Sequence, residues 1–386
     1  MSGKYLVTHS LATARPKMRS VHTPTRKEIV EYMPPLLRFL IRRFLSVPFS
    51  LVVITMVLYA GVMLAPPEAR ARLYLPRGKG GERATENFIN SIIRQHHLDD
   101  PFLVQYVYWA RSLLTGSWGY SPSLQEDVLP SLLKRTPLTL ELASFSLLLL
   151  IPLGLASGLV AGWLRNGWID GFFRGSAFFG TSMPPFIFAL ILLAIFYVKL
   201  GWFAPGRIEI ITSMEMTRSG FVNYTGFLTL DSLLNGRFDI FVTALRHLAM
   251  PVFTLSLFHW ATLGRITRAI VIDQQKKEYI IAARARGVGE KRLLWRHVLS
   301  TILAPSLTTV ALSAASIVTG TFVVEIIFGL AGVSQVIVVS MQSVPDAPAA
   351  LGFSVYSVLM VISLMLVLDL LQAVLDPRVR DEVLKA

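Results

Sequence analysis

The sequence PLTLELASFSLLLLIPLGLASGLVAG, residues 137–162, gives the clearest indication of the fold. It contains no lysine or arginine, and its one carboxylate, Glu141, lies near its start. A helix needs about 20 predominantly apolar residues to cross the hydrocarbon core of a bilayer. We therefore predict a transmembrane helix in this stretch rather than a buried helix of a soluble domain.

Five further stretches share these properties, and none of them contains a lysine or arginine: residues 44–65, 175–198, 247–264, 301–328 and 353–375. A basic side chain at the bilayer centre costs about 2.5–3.5 kcal/mol on insertion scales, so this absence is informative. Only 16% of the 386 residues are charged, whereas soluble domains have about 25%. The sequence predicts an all-α integral membrane protein with six transmembrane helices.

The basic residues indicate how these helices are oriented. Lysine and arginine are enriched in short cytoplasmic loops. Residues 265–300 contain nine of them, whereas residues 329–352 contain none. The net charge of +13 lies on residues 1–43 and 265–300, because the rest of the chain is balanced. We therefore expect both termini in the cytoplasm, and the charge indicates topology beside a lipid bilayer rather than a nucleic-acid partner.

Residues 66–136 form a long segment that this orientation places outside the cytoplasm. Its first part is rich in glycine, proline and arginine and is predicted to be a loop. From Thr85 the apolar spacing becomes helical, and Asp99-Asp100-Pro101 is a plausible start of a second helix. The residues with helical spacing are Phe88, Ile92 and Ile93 in the first helix and Leu103, Val107 and Ala110 in the second.

Two local motifs lie inside the predicted spans. Gly154, Gly158 and Gly162 recur every four residues, a spacing that lets two helix backbones approach closely. Met183-Pro184-Pro185 interrupts the third span, where the missing amide donors predict a kink or local unwinding. Broken backbone at membrane depth is tolerated only against protein or a water-filled cavity, so this motif has either a packing role or a role in a translocation pathway.

No catalytic or metal site is recognisable in the sequence, and no cofactor is expected. The chain has no cysteine, which excludes thiol and cysteine-based metal chemistry. It lacks a P-loop and the HExxH and GxSxG motifs, so it is not expected to hydrolyse ATP itself. Glu325 and Asp369 lie in predicted spans, where packing is the favoured role. A proton-coupled carrier that uses one of them is the alternative, and an intramembrane enzyme is a third, weaker hypothesis.

The loop at residues 265–300 contains the sequence KKEYIIAARARGVGE at residues 276–290. Alanines followed by Gly287 predict a short helix that ends at the glycine, between two spanning helices. Its small side chains would permit close approach, and the surrounding basic residues would suit an acidic partner. On these residues alone, a docking helix and a basic loop with only a topological role are equally supported.

This loop resembles the EAA loop of the permease subunits of bacterial dipeptide and oligopeptide ATP-binding cassette importers. The family pattern is Glu-Ala-Ala, three residues and then Gly, and here Ile281 replaces the glutamate, as is frequent in this class. Several other segments match the family in order along about residues 36–380: Leu98-Asp99-Asp100-Pro101 with Gln105-Tyr106 and Trp109, Arg135-Thr136-Pro137 with Glu141, Arg246-His247-Leu248 with Pro251, Val324-Glu325 with Phe328, and Asp376-Pro377-Arg378. The extension at 1–35, the insert near 66–84, Ala331 and Ser334 depart from the family pattern.

The resemblance implies a domain organisation and a location in the bacterial or archaeal cell membrane. The expected parts are a cytoplasmic extension (1–38), a first transmembrane helix (39–65), an extracytoplasmic helical subdomain (66–136), a permease core (137–375) and a cytoplasmic tail (376–386). The expected fold is that of a type I importer permease. The expected partners are a homologous second permease, two cytoplasmic ATP-binding subunits and an external peptide-binding protein.

The resemblance also implies functional residues and a class of substrate. The ATPase-coupling residues are expected to be Glu278, Tyr279, Ala282, Ala283, Ala285 and Gly287. Residues of the pathway or gate are expected to be Met183, Pro184, Pro185 and Glu325. A peptide is the expected solute, while nickel complexes, glutathione and oligosaccharides are alternatives carried by relatives of this class.

Overall fold

The computed structural model describes residues 35–72, 86–95, 97–342 and 346–375. The predicted N-terminal extension lies outside the described residues except for its last part from Pro35 onward, and the predicted tail 376–386 lies outside them entirely. The same holds for residues 73–84 of the insert.

Helices make up most of the described structure. In chain order they are α1 Pro35–Val62, α2 Pro67–Arg72, α3 Glu86–Gln95, α4 Phe102–Leu114, α5 Val128–Trp163, α6 Trp168–Ser182, α7 Pro185–Leu192, α8 Ile210–Arg218, α9 Leu228–Leu234, α10 Phe238–Gln274, α11 Glu278–Ala285, α12 Glu290–Arg292, α13 Leu299–Phe328, α14 Ser334–Gln342 and α15 Ala347–Leu375. Two π-helical segments, Leu193–Lys199 and Leu293–Val298, follow α7 and α12. Strands β1 Tyr120–Ser121 and β2 Glu126–Asp127 pair antiparallel, with Tyr120 opposite Asp127.

Four helical segments of the described chain are long and apolar enough to cross a membrane: Val128–Trp163, Phe238–Gln274, Pro305–Phe328 and Ala347–Leu368. They coincide with four of the six predicted runs. The first run lies in α1, whose apolar part Ser46–Val62 is shorter, and the third run lies in a bent pair of helices. The all-α membrane architecture is confirmed, while the count of six spans stays a prediction.

The bent pair consists of Trp168–Ser182 and Pro185–Lys199, which meet at an angle of 102°. Met183 is extended, with φ −104° and ψ 123°, because a residue before proline is disfavoured in the α region. Pro185 stands at the start of α7, where its missing N–H leaves no intrahelical bond unmade. The interruption predicted at Met183-Pro184-Pro185 is confirmed, and it is a full break between two helices.

The glycine motif of α5 packs against α10 of the same chain. A Cβ on Gly154 would lie 2.7 Å from the Leu263 side chain, and one on Gly162 would lie 2.8 Å from the Arg268 carbonyl oxygen. A Cβ on Gly158 would overlap the backbone carbonyl of Gly264. The small residues therefore allow the two longest helices to pack backbone to backbone.

Two buried apolar clusters mark opposite ends of the bundle. One joins the C-terminal parts of α5 and α10 to α11 and the start of α13, and we call it the α11 cluster: Leu159, Val271, Ile280, Ala283, Leu293, Leu294, Val298 and Ile302. The other joins the start of α5 to α14 and the start of α15, and it contains Val128, Leu132, Val333, Val336 and Ala349. Because α5 runs from one cluster to the other, the bundle has two distinct ends.

Asp346 connects the hairpin formed by β1 and β2, residues 120–127, to the start of α15 at the second of these ends. Its carboxylate accepts hydrogen bonds from Ser121 Oγ at 2.6 Å, Ser123 N at 3.0 Å and Ala349 N at 3.2 Å. Burial raises the pKa of this carboxyl, but the three donors together outweigh burial, so the pKa lies below its usual value. The ionised carboxylate therefore stabilises the contact between the hairpin and α15.

The segment after α1 contains three helices, of which α3 and α4 follow the predicted helical pattern. The prediction of a loop after Pro66 is wrong at α2, where Pro67 stands at the first helical position and Glu68 lies in the first turn, two features that favour a helix start. Ile92 and Ile93 of α3 are buried, whereas Phe88 is 49% exposed. In α4 the residues with the predicted apolar spacing lie on the exposed side: Leu103 and Val107 are exposed, and the buried residues are Gln105 and Tyr106. Gln105 explains this difference, because its amide donates to the carbonyls of Leu98 and Asp100 at 2.9 and 2.6 Å. Polar satisfaction, rather than apolar spacing, orients α4.

Candidate functional site

Helix α11 is the short helix that the loop sequence predicts, and its ends are defined by local chemistry. Lys277 precedes it in an extended conformation, and Glu278 lies in its first turn, where a negative charge is favourable. At the other end Gly287 has φ +78°, Val288 N donates to Ala283 O at 3.1 Å and Gly287 N donates to Arg284 O at 3.0 Å. This pair of bonds is a Schellman motif, which requires the left-handed glycine.

One side of α11 is buried within the chain. Ile280 is fully buried and Ala283 is 5% exposed, and both belong to the α11 cluster. Their neighbours in this cluster come from α5, α10, the π-helical segment Leu293–Val298 and α13. Burying an isoleucine side chain contributes about 1.5–3 kcal/mol to the free energy of folding. Helix α11 is therefore packed firmly against the ends of the spanning helices.

Two polar contacts strengthen this attachment. Gln275, directly after α10, donates from Nε2 to the carbonyl oxygens of Gly162 at 3.2 Å and Trp163 at 3.0 Å. The guanidinium of Arg284 lies 5.9 Å from the centre of the Trp163 ring. The end of α5 is therefore contacted from both ends of the loop region around α11. The Gln275 amide, just before α11, donates to its carbonyls, and Arg284 of α11 forms a cation–π contact with its tryptophan.

Arg284 also forms a bidentate ion pair with Glu290. Arg284 Nε lies 2.7 Å from Oε1 and Nη2 lies 3.2 Å from Oε2. The hydrogen bond from Arg284 lowers the pKa of the Glu290 carboxyl, and Glu290 raises the pKa of Arg284. Because both side chains are about half exposed, this pair contributes little to stability, and its main effect is to orient the chain after Gly287.

The other side of α11 is exposed in the described chain. It presents five of the predicted coupling residues (Glu278, Tyr279, Ala282, Ala285 and Gly287), and Ile281, in the glutamate position of the family pattern, is 56% exposed. The sixth, Ala283, faces inward and packs within the chain, and the coupling role of all six residues stays a prediction. Small apolar side chains on an exposed helix, beside basic residues, form a surface suited to a protein partner.

The predicted pathway residues do not form one group. Met183 packs partly buried against the main apolar core, whereas Pro184 and Pro185 at the break between α6 and α7 are exposed. Glu325 lies elsewhere, near the end of α13, and is fully buried. The role of these four residues in a pathway stays a prediction.

Glu325 holds the start of α14 in place. Its carboxylate accepts from Ser334 N at 3.1 Å, Ser334 Oγ at 2.6 Å and Thr139 Oγ1 at 2.5 Å. Thr139 Oγ1 in turn accepts from Val333 N at 3.1 Å. A carboxylate at a helix N-terminus satisfies amides that have no intrahelical partner. These contacts support the packing role for Glu325.

Glu141 has a similar role that sequence reasoning did not assign. It is 2% exposed, and its carboxylate accepts from Thr229 N at 2.8 Å, Thr229 Oγ1 at 2.6 Å and Leu228 N at 3.2 Å, at the start of α9. Arg207 Nη2 lies 3.5 Å from the same carboxylate. The available signal was a single carboxylate at the entry to a transmembrane run, which indicates a buried partner without identifying it.

Comparison with known families gives this geometry a context. Residues 151–381 match the family described as the binding-protein-dependent transport system inner membrane component, and residues 36–143 match the N-terminal membrane component of such systems. The first match alone covers more than half of the chain. The chain belongs to this family.

Individual relatives agree with the family match. A probable D,D-dipeptide transport system permease protein of Escherichia coli is 32% identical over 299 residues, covering 78% of this chain and 86% of the relative. An oligopeptide transport system permease protein of Bacillus subtilis is 31% identical over 343 residues, covering 88% and 98%. A dipeptide transport system permease protein of the same species is 28% identical over 346 residues, covering 89% and 98%. The resemblance seen in the sequence is confirmed.

The family match includes the whole candidate site. The range 151–381 contains the end of α5, the bent pair, α10, α11 and α13. The chain is thus a multi-pass membrane component of a binding-protein-dependent transport system.

Proposed function

We propose that the chain is the membrane-spanning permease subunit of an ATP-driven importer of di- or oligopeptides. The observation that carries this proposal is the division of α11 into two sides: one is buried against the ends of three spanning helices, and the other is exposed. Such a helix can receive a force from a docked subunit and pass it to the membrane bundle. The printed names of the relatives support a peptide as the solute.

The proposed topology has six spans with both termini in the cytoplasm. One of these spans is the bent pair, and contacts near the two ends of α10 support a crossing there. Asp170, near the start of α6, accepts a hydrogen bond from Arg268 Nε at 2.5 Å, while the carbonyl of Trp202, just after the pair, accepts one from Arg246 at 3.0 Å. Arg246 and Arg268 are about 33 Å apart at 1.5 Å per residue of α10, which is about the thickness of a hydrocarbon core.

The proposed partners follow from this arrangement. Two cytoplasmic ATP-binding subunits dock on α11 and on the matching helix of a homologous second permease. An external binding protein delivers the peptide to the opposite end of the bundle. When the ATP-binding subunits close, α11 moves with the ends of α5, α10 and α13, and the two permeases change between outward-facing and inward-facing states.

The contacts of Glu325 do not favour the proton-coupled carrier. A carrier carboxylate must exchange protons with a solvent-accessible pathway. Glu325 is fully buried and holds two hydroxyl groups and one backbone amide. Its carboxyl group has a structural role at the junction of α5, α13 and α14.

Reconstitution in liposomes tests the proposal. The chain would be purified with a second permease, the ATP-binding subunits and the binding protein encoded beside it, and uptake of labelled di-, tri- and tetrapeptides would be measured. We expect uptake that requires both ATP and the binding protein, with nickel complexes, glutathione and oligosaccharides failing to compete. Uptake by this chain alone, driven by a pH gradient and lost in Glu325→Gln, would instead establish a carrier.

Single cysteines test the topology, because the native chain contains none. Ala285→Cys on α11 and Leu234→Cys at the end of α9 are both at exposed positions. In intact cells a membrane-impermeant maleimide should label Leu234→Cys and leave Ala285→Cys unlabelled until the membrane is opened. The reverse pattern would contradict the proposed orientation.

A further inference from the structure

A cavity of about 1070 Å³ lies at the junction of α1, α2, α4, the hairpin and the start of α15. Its lining includes Tyr59, Arg70, Tyr108, Trp109, Trp118 and Leu351. The cavity is distant in the fold from α11 and lies outside the main apolar core. The proposed coupling mechanism assigns no role to this cavity.

Arg70 is the chemically informative residue of this cavity. It is 6% exposed. It donates from Nη1 to Gln105 Oε1 at 2.7 Å and to the Met63 sulfur at 3.0 Å, and from Nη2 to the Leu98 carbonyl at 2.9 Å. All of these acceptors are neutral, and within the described ranges Arg70 has no ion pair with a carboxylate. The Nε atom of Arg70 is buried and has no hydrogen-bond partner among the described residues.

A buried guanidinium of this kind is costly unless an anion completes its hydrogen bonds. Removing one charge from water costs several kcal/mol, and neutral acceptors recover only part of this. The carboxylate of Asp100 is close in sequence to the acceptor Leu98, but it is engaged by His97 Nδ1 at 2.8 Å. The Arg70 guanidinium would therefore be stabilised by a bound anion. Phosphate oxygens match the geometry of the planar guanidinium well.

The walls of the cavity indicate where that anion comes from. Tyrosine and tryptophan side chains are enriched at the level of lipid headgroups, and here they line the same cavity as the arginine. Two of the bounding helices, α1 and α15, expose much of their apolar surface: Phe49 and Val57 of α1 are 70% and 67% exposed, and only 11% of the most apolar part of α15 is buried. The cavity thus adjoins surfaces suited to acyl chains rather than the packed centre of the bundle.

We propose that this cavity is a binding site for one phospholipid, whose phosphate pairs with Arg70 and whose glycerol and first acyl carbons lie among the aromatic side chains. The lipid joins the segment α2–α4 to the start of α15 on the side of the bundle opposite α11. This site is independent of the proposed peptide transport function. A transported peptide is disfavoured as the occupant because the site lies at the edge of the bundle.

Native mass spectrometry of the full chain, purified in its complex, tests the proposal. After delipidation in detergent, phosphatidylglycerol, phosphatidylethanolamine or diacylglycerol would be added back. We expect one phospholipid to remain bound per chain, with diacylglycerol, which has no phosphate, retained at least tenfold less. Arg70→Gln should also lower phospholipid retention at least tenfold.

A second variant separates the site from the fold, because Arg70 also holds Gln105 and Leu98. Ser112→Trp fills the cavity without changing Arg70, and Ser91→Trp is its matched control: each serine hydroxyl donates only to the carbonyl three residues earlier, and Ser91 lies on α3 away from the cavity lining. Ser112→Trp should lose the lipid, whereas Ser91→Trp should keep it.

Five outcomes would overturn the proposal. The first four are equal retention in Ser112→Trp and Ser91→Trp, equal retention of diacylglycerol, displacement of the lipid by millimolar inorganic phosphate, which would establish a small-anion site, and displacement by a tripeptide, which would establish a solute site. The absence of any retained lipid in the native chain would also overturn it.

Discussion

The side chain of Gln275 donates to the backbone carbonyl of Trp163 at 3.0 Å, which joins the end of α10 to the end of α5 immediately before α11. With the shared α11 cluster, this contact makes the ends of the two longest helices and α11 one mechanical unit. A force on α11 therefore reaches both helices together. The proposed transport cycle depends on this unit.

Replacing Gln275 tests the mechanical role of the contact. Gln275→Leu removes two hydrogen bonds, which contribute about 1–3 kcal/mol in total, while leaving the exposed side of α11 unchanged. We expect the ATP-binding subunits to remain bound and the peptide taken up per ATP hydrolysed to fall severalfold. Uptake and hydrolysis measured in the same liposomes give this ratio.

Gln274→Leu is the matched control for Gln275→Leu. Gln274 accepts a hydrogen bond from Tyr279 OH at 3.0 Å, a contact within the loop that does not reach α5. Its replacement should leave the uptake-to-hydrolysis ratio close to that of the native chain. Equal losses in the two variants, with the ATP-binding subunits bound equally well in both, would show that the link to Trp163 has no special role.

Adjacent alanines on α11 should respond differently to added bulk. Ala282 is exposed, so Ala282→Trp should leave the thermal stability of the purified chain unchanged but lower association with the ATP-binding subunits and transport at least tenfold. Ala283 is buried, so Ala283→Trp should destabilise the chain by about 1–3 kcal/mol or more through overpacking. Pull-down and thermal unfolding separate the two effects, and a stable Ala282→Trp variant with normal transport would contradict docking there.

The close packing of α5 against α10 predicts that added bulk at Gly158 lowers the stability of the chain. In Gly158→Ala the new methyl group meets the carbonyl of Gly264, and the helices must separate, which should cost about 1–3 kcal/mol. Gly175→Ala in α6 is the control, because its Cβ meets nothing within 4 Å. Since alanine favours helix by about 1 kcal/mol over glycine, the control should be neutral or stabilising in thermal unfolding. A neutral Gly158→Ala would show that the helices do not pack this closely.

Asp346 gives the chain a predictable response to acid. Its folded-state pKa is lowered, so its contribution to stability is complete above the unfolded aspartate value of about 3.9 and is lost as the pH falls through the folded value. Asp346→Asn should cost about 1–3 kcal/mol at neutral pH and flatten this acid-dependent loss. Unfolding followed from pH 7 to pH 3 measures both effects. The exposed Asp99→Asn is the control and should change neither, and a profile of Asp346→Asn that matches the native chain would contradict the contacts described.

The apolar runs predicted much of the fold, and the reasons for the differences are physical. Hydropathy identifies only the part of a helix that lies in the hydrocarbon, so α5 begins at Val128 rather than at residue 137, and α10 begins at Phe238 rather than at residue 247. The break at Met183-Pro184-Pro185 was predictable because proline removes amide donors. Its angle of 102° was not, because neighbouring helices determine it.

The candidate site was predictable in its location and only partly in its orientation. Gly287 marks the end of α11 through its left-handed conformation, which the sequence indicates directly. The inward side of α11, with Ile280 and Ala283 three residues apart, becomes evident only when the ends of α5 and α13 are in place. The partners of Glu141 and of Gln275 lie far away in the chain, at Thr229 and Trp163, and no local pattern identifies such contacts.

Site-specific cross-linking tests the central claim most directly. Because the native chain has no cysteine, Ala282→Cys introduces a unique thiol on the exposed side of α11, and Leu234→Cys introduces one at the opposite end of the bundle. With a short bifunctional maleimide and cysteines placed along the permease-facing groove of the ATP-binding subunit, we predict a cross-link from Ala282→Cys whose yield changes when ATP is added, and none from Leu234→Cys. If Ala282→Cys forms no cross-link in a complex that still imports peptide with ATP, then α11 is not the coupling helix.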